Sequence, residues 1–203
     1  MTATTVQTAS IAQAIQERRS IRKLTNSPAL SQQRVKELVK LALHSPTAFN
    51  MQSGRLLVLM NEGHQEFWDL VKETLRQIVP AENFPATEER LNGFRAGLGT
   101  VLFFEDQNTI KNYQEQFSSY AQAFPAYSQQ GSGMLQYAMW LVLSSEGLGV
   151  SLQHYNPLID EQVKSKWGIP EGWSLVAQMP FGWPAEQAGQ RSFLPFEDVV
   201  KWG

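Results

Sequence analysis

One short apolar run constrains the fold of this chain more than any other feature. In the segment GTVLFFED, residues 99–106, four large apolar side chains follow one another from Val101 to Phe104. A run of this length with polar residues beyond it predicts a strand, and successive strand side chains point to opposite faces of a sheet. Both faces of this strand are therefore expected to be buried, which requires a sheet with helices packed against it.

Helical and strand patterns alternate irregularly along the rest of the chain. This irregular order favours an α+β fold, with one sheet surrounded by helices in a single domain over residues 1–203. The apolar tail over residues 192–202 is expected to dock on a partner subunit. The predicted helices run from Ser10 into Arg18 and Arg19, from an N-cap at Ser31 to Ala42, and over 64–77, 88–96 and 132–146, with a last one capped by Asp160 and ending at Trp167. The predicted strands cover 55–60, 99–106 and 174–182, and residues 149–156 are expected to form a strand or an extended segment.

Composition excludes several classes of function. The chain has 203 residues and a formal net charge of -2, so it has no overall positive field for nucleic acid. It has no cysteine, which excludes disulfides, thiolate nucleophiles and iron–sulfur clusters, and His44, His64 and His154 lack metal-ligand spacing. The N-terminus does not resemble a signal peptide, and no apolar run approaches the roughly 20 residues that span a bilayer. A cytoplasmic protein without a membrane segment or a metal is therefore expected.

The segment ERRSIRK, residues 17–23, places four cationic side chains around one hydroxyl. Arginine forks, a hydroxyl and backbone N–H groups are what a phosphate needs, so Arg18, Arg19, Ser20 and Arg22 are candidates for an anion site. The alternative is a solvated helix end, because arginines at a helix C-terminus are favoured by the helix dipole without any ligand.

The segment SPTAFNMQSG, residues 45–54, is a polar loop with two carboxamides. Asn50 and Gln52, with the hydroxyl of Thr47, offer donors and acceptors that suit the edge of a heterocycle or a polyol chain. The alternative is an ordinary loop that connects a helix to a strand.

The segment EGLGVSLQHYN, residues 146–156, follows the long apolar helix. Gly147 and Gly149 allow the chain to turn and to approach a ligand closely. His154 is a candidate proton donor with Glu146 as a distant partner, although a lone histidine is more often structural. Two further features are weaker: the adjacent acids Glu105 and Asp106, which would point to opposite faces of a strand, and an aromatic set over 113–127, which forms either a pocket lid or part of the core.

Taken in order, these stretches resemble the FMN-dependent nitroreductase family. That family opens with Arg-Arg-Ser-x-Arg, which stands here at residues 18–22, and continues with Ser-Pro-Ser/Thr-x-x-Asn-x-Gln, which stands at 45–52. The sequence Glu-Gly-Leu-Gly at 146–149 and the combination of Arg191 with PFEDV at 195–199 complete the match. Within the family, the chain is most similar to the compact fatty-acid-repression-type, or oxidoreductase-like, branch.

The resemblance implies a mostly antiparallel sheet in an intertwined homodimer, with FMN at the subunit interface. It implies that the flavin performs the redox chemistry without a catalytic side chain, and that the long helix lies in the dimer core. The residues that it assigns to the cofactor are Arg18, Arg19, Ser20, Arg22 and Arg191 toward the phosphate, ribityl chain and pyrimidine edge, Pro46, Thr47, Asn50 and Gln52 from the partner subunit, and Gln153, His154 and Tyr155 beside flavin N5.

The function that the resemblance implies is an FMN-dependent NAD(P)H oxidoreductase. NAD(P)H would deliver hydride and leave, and a nitroaromatic, a quinone or a similar flat acceptor would then take its place in a ping-pong cycle. The alternatives are a flavin-binding regulatory or stress-response protein with incidental turnover, and a hydrolase that uses His154.

Overall fold

The computed structural model describes residues 10–203, which form eight α-helices and a five-stranded sheet. None of the helices in this range combines the length and the apolar character needed to cross a membrane. The helices are α1 (Ile11–Glu17), α2 (Gln32–Ala42), α3 (Asn61–Arg76), α4 (Phe84–Arg95), α5 (Gln107–Gln116), α6 (Phe124–Ser145), α7 (Asp160–Trp167) and α8 (Phe196–Val199), and the strands are β1 (Leu24–Thr25), β2 (Gly54–Met60), β3 (Gly99–Asp106), β4 (Gly149–Val150) and β5 (Trp173–Pro184).

The sheet is built around the apolar strand β3. Its order is β1-β5-β3-β2, with β4 also paired to β5, and every strand pair is antiparallel. In the register of the sheet, Val101 of β3 lies opposite Val58 of β2 on one side and Met179 of β5 on the other. The prediction of an α+β fold with a helix-covered, antiparallel sheet is confirmed.

The two faces of β3 contribute to two different hydrophobic clusters. Val101 and Phe103 pack in a cluster that includes residues of α2 and α6, whereas Leu102 and Phe104 pack in one that includes residues of α3, α4 and α7. All four side chains are at most 1% exposed, and full burial of a large apolar side chain contributes about 1.5–3 kcal/mol. The strand therefore holds the two helical layers together, as its unbroken apolar run predicts.

Local signals located the starts of α1 and α2, and proline accounts for two starts that were placed too late. Ser10 and Ser31 cap α1 and α2 as predicted, each accepting a hydrogen bond from the backbone N–H three residues on. The helices expected from residues 88 and 132 begin instead at Phe84 and Phe124. In both, a proline stands in the first turn, where a missing backbone N–H costs no intrahelical bond.

Several other elements differ from the prediction. Helix α1 ends at Glu17, so Arg18 and Arg19 follow the helix and do not form its last turn. In the segment 149–156, expected as a strand or an extended segment, only Gly149–Val150 is a strand. Asp160 is the first residue of α7 and makes no cap. Strand β1 was not expected, and the tail contains the short helix α8 where an extended arm was predicted.

Candidate functional site

The arginine-rich segment after α1 is tied to the sheet by its backbone. Ser20 forms a parallel bridge with Val150 of β4, and the N–H of Ile21 donates to the Val150 carbonyl at 2.9 Å. Immediately afterwards, β1 pairs with the end of β5. The segment thus follows a fixed path across the sheet edge, although it has almost no regular structure of its own.

This path forms one wall of a cavity of about 310 Å³, which we call the arginine cleft. Arg18 and Arg19 line it from one side and Gly147–Gly149 from the other, so the structure brings the first and third sequence motifs together. Glycine is required at positions 147 and 149 for two different reasons. Gly147 has φ of 82° at the end of α6, a left-handed turn that glycine favours. A Cβ on Gly149 would lie 2.9 Å from Cγ2 of Ile21, so only glycine lets the two segments approach this closely.

The arginines of the cleft have no carboxylate partner among residues 10–203. None of the ion pairs in that range involves Arg18, Arg19 or Arg22, whereas four other arginines of the described chain are paired. The Arg18 guanidinium lies 4.5 Å from the centroid of the Trp140 ring, a cation–π contact that fixes its position. The Trp140 Nε1–H is buried and has no hydrogen-bond partner among the described residues. Guanidinium groups without a carboxylate partner fit an anionic ligand with acceptor oxygens.

Glu186 holds the backbone at the far end of the arginine segment. Its Oε1 accepts hydrogen bonds from the N–H groups of Arg22 and Lys23 at 2.7 and 3.1 Å. The bond from the Arg22 N–H is the main reason why the pKa of Glu186 lies below its usual range. Sequence reasoning missed both Glu186 and Trp140: Trp140 has the pattern of a core residue in an apolar helix, and no local signal connects Glu186 to residues more than 160 positions away.

The loop with the carboxamides lies at a different cavity, of about 200 Å³, which we call the loop cavity. Thr47 and Gln52 line it, and the Gln52 N–H donates to Thr47 Oγ1 at 3.0 Å. Pro46 and Asn50 are exposed. No residue lines both this cavity and the arginine cleft, so within one chain the second motif stands apart from the other two.

The three residues expected beside the flavin, Gln153, His154 and Tyr155, have different surroundings. Gln153 forms an antiparallel bridge with Gln178, and His154 is exposed. The Tyr155 N–H donates to Gln178 Oε1 at 2.8 Å, and its ring packs edge-on against Trp68 with centroids 5.9 Å apart. Burial there raises the pKa of the Tyr155 hydroxyl.

Two expectations for charged residues were changed by the structure. Glu146 was considered as a partner for His154, but both of its carboxylate oxygens accept hydrogen bonds from Arg34, at 2.5 and 3.0 Å. Arg191 lies on the exposed tail, where its guanidinium is 4.3 Å from the Phe193 ring centroid, and it does not line the arginine cleft. Within residues 10–203, no cluster of three histidine or carboxylate side chains is placed to hold a metal ion.

Comparisons with known proteins indicate the family of the chain. The model of the nitroreductase family matches residues 15–183. The protein HBN1 of Saccharomyces cerevisiae is 36% identical over 151 residues, which cover 74% of each chain. The nitroreductase CinD from Lactococcus lactis, solved in complex with chloramphenicol, has a TM-score of 0.86 at 40% identity and covers 96% of this chain and 100% of that one.

More distant structures share the fold. A nitroreductase from Exiguobacterium sibiricum, solved in complex with FMN, has a TM-score of 0.73 at 17% identity and covers 97% of this chain and 99% of that one. The family model extends from α1, just before the arginine segment, through β5, so it includes both glycines of the cleft and the whole carboxamide loop. The chain therefore belongs to the nitroreductase family of oxidoreductases.

Proposed function

We propose that the protein is an FMN-dependent NAD(P)H oxidoreductase that reduces nitroaromatics, quinones or similar flat acceptors by a ping-pong mechanism. The observation that carries the proposal is the arginine cleft. Two half-buried arginines line it without a carboxylate partner in the described chain. Glu17 and Glu186 also line the cleft, but neither forms an ion pair with these arginines in the described chain. The guanidinium groups are therefore available to an anion, and FMN carries one phosphate.

Groups on two sides of the cleft would bind the FMN phosphate. Arg18, held against Trp140, and Arg19 would meet the phosphate from inside the cleft, and the Ser20 hydroxyl and Arg22 would meet it from the exposed side. Gly149 keeps this wall close to the helix end. Arg191 would join the phosphate only if the tail is repositioned, as in a complex with a second chain.

The chemistry itself would come from the cofactor. When bound, FMN supplies hydride acceptance from NAD(P)H and electron transfer to the second substrate. The protein would orient the flavin, stabilise its negative charge with nearby guanidinium groups and keep one face open for a flat ligand. CinD was crystallised with chloramphenicol and with 4-nitrophenol, which supports an aromatic acceptor for this chain.

Exposed apolar side chains support assembly with a second copy. Trp202 and Phe193 of the tail are 86% and 74% exposed, and Leu194, Phe196 and Val199 are also exposed. On α6, Met134 and Tyr137 remain exposed although the opposite side of the helix is buried. An arm of this kind needs a partner surface, and a homodimer would also bring the carboxamide loop of one chain to the arginine cleft of the other.

An absorption spectrum of the purified protein tests the proposal. We expect a flavin spectrum, or its appearance after incubation with FMN, and rapid bleaching when NAD(P)H is added anaerobically. Protein that stays colourless with added FMN would refute the proposal. Bound FMN that NAD(P)H reduces only slowly at every physiological concentration would instead support the alternative of a flavin-binding regulatory protein.

A further inference from the structure

The carboxamide loop has an unusual backbone. Phe49, Asn50 and Gln52 have φ values of 56°, 53° and 48°, in the left-handed region that residues other than glycine rarely adopt. A phenylalanine with positive φ is a particular outlier. Such conformations persist only where the surrounding structure enforces them, so something must hold residues 47–52 in place.

Packing holds only the middle of the loop, where Met51 is 4% exposed and lies in an apolar cluster. The loop cavity lies next to Thr47 and Gln52, and its far wall includes Gly131 and Leu135 of α6. On the outside, the Phe49 ring contacts an aromatic group that includes Phe117, at 4.9 Å between centroids, but is still 46% exposed. The remaining restraints are polar, and they converge on the end of β3.

The first restraint is a buried hydrogen bond. The Ser53 hydroxyl donates to Oε2 of Glu105 at 2.5 Å, and the two residues are 2% and 4% exposed. The Asp106 N–H also donates to the Ser53 carbonyl, at 2.9 Å. Burial raises the pKa of Glu105, while the hydroxyls of Ser53, Ser128 and Ser132 and the charge of Arg55 act in the opposite direction. A buried carboxyl group in this position is costly unless its hydrogen bonds are made, so it binds Ser53 firmly.

The second restraint on the loop is Arg55, which is held by Asp106, the acid next to Glu105. Arg55 donates to the Gln52 carbonyl at 2.7 Å, and its other terminal nitrogen donates to Asp106 Oδ2 at 2.8 Å. The adjacent acids therefore have separate tasks: Glu105 binds Ser53 beside the loop cavity, and Asp106 orients Arg55. Neither is part of the arginine cleft.

We propose that Glu105 is a positioning residue for the cofactor site. Through Ser53, its carboxyl group holds residues 47–52 in the left-handed conformation that presents Asn50 and Gln52 to a flavin bound by the partner subunit. The inference rests on the proposed function, because it assumes that the loop contacts FMN in a dimer.

Two substitutions at Glu105 separate a hydrogen-bonding role from simple space filling. Glu105→Gln keeps a carbonyl oxygen that accepts from Ser53, whereas Glu105→Leu has a similar size and no acceptor. Ser53→Ala removes the hydroxyl that donates to Glu105 and changes the side chain less. It tests the same hydrogen bond if Glu105→Leu does not fold. Glu62→Leu, on the exposed first turn of α3, is the control for loss of an acid.

The first measurement is amide hydrogen exchange in the FMN-free protein. The N–H groups of Asn50, Met51 and Gln52 donate at 3.0 Å within the loop, so they report its conformation. We expect Glu105→Leu and Ser53→Ala to speed their exchange by about tenfold or more, and Glu105→Gln and the control to change it by less than about threefold. Unchanged exchange in the Leu and Ala variants would overturn the proposal, as would equal acceleration by Gln and Leu.

The second measurement is the Kd for FMN of the same variants. We expect about a tenfold weakening in the Leu and Ala variants and recovery in the Gln variant. If the loop amides respond as expected but the wild-type protein binds no FMN, the proposed function fails while the positioning role of Glu105 toward the loop stands. If FMN binds equally well to all variants, the inference fails and the proposed function stands.

Discussion

Stability should depend on pH through one buried histidine, His64. It is 1% exposed and lies where α3, α4 and β3 meet. The Trp68 indole N–H donates to Thr100 Oγ1 at 2.9 Å, and that hydroxyl lies 2.8 Å from His64 Nδ1. Because the Thr100 oxygen accepts from Trp68, its own proton is free to donate to Nδ1. His64 Nε2 then carries the ring proton and donates to the Arg95 carbonyl at 3.2 Å.

This network accommodates only the neutral imidazole. Burial is the main reason why the pKa of His64 falls from 6.5 to about 4, and a proton on Nδ1 would also displace the Thr100 donor. Between these two pKa values the unfolded chain binds more protons than the folded one. The contribution of neutral His64 to stability is therefore complete above pH 6.5 and is lost as the pH falls toward 4, by about 3 kcal/mol in total.

The assay is urea unfolding at pH 7.5 and pH 5, with wild type, His64→Gln and the control His154→Gln. His64→Gln cannot be protonated, so its free-energy difference from wild type should shrink by about 2 kcal/mol between the two pH values. Other titrating groups, including Glu105, cancel in that difference. The control His154→Gln removes an exposed histidine outside this network. A wild-type advantage of the same size at both pH values would refute the argument that His64 is held neutral.

Three further predictions concern the arginine cleft and the tail. Arg18→Ala should weaken FMN binding by about 2–5 kcal/mol in a fluorescence titration, while Arg76→Ala, a surface ion-pair control, should not; equal flavin retention would remove Arg18 from the phosphate site. Gly149→Ala should lower the free energy of unfolding by about 1–3 kcal/mol, because its Cβ would meet Ile21; a cost below about 0.5 kcal/mol in urea would show that the two segments can separate. Removal of residues 192–203 should shift the mass measured by light scattering from that of the proposed dimer toward that of a monomer, and an unchanged mass would show that the apolar arm has another role.

Where local physics decides an element, the sequence was sufficient. The run Val101–Phe104 required a strand buried on both faces, and the structure has it between β2 and β5 with the same bounds as predicted. The caps at Ser10 and Ser31 follow from side chains within three residues of the helix start. Helices α4 and α6 begin earlier than expected because prolines were interpreted as loop residues, although the first helical turn tolerates them.

The sequence predicted which types of residue form the site better than it predicted where they lie in the structure. Arginines around a hydroxyl indicated an anion site, and the motifs in order indicated the family, which the family model confirms. Asn50 and Gln52 were singled out for their carboxamides, but their positive φ values were not predicted. The assignments of individual residues to the flavin remain predictions.

The sequence by itself determined the helix-covered sheet, the family and the kinds of groups that a phosphate-bearing cofactor would need. Only the tertiary structure decided that Arg18 rests on Trp140, that Glu186 holds the backbone of Arg22, and that Glu105 binds the loop through Ser53. The physical reason is sequence distance. Helix caps and apolar periodicity are set by neighbours a few residues apart. Each of these three contacts joins residues between 52 and 164 positions apart in the sequence.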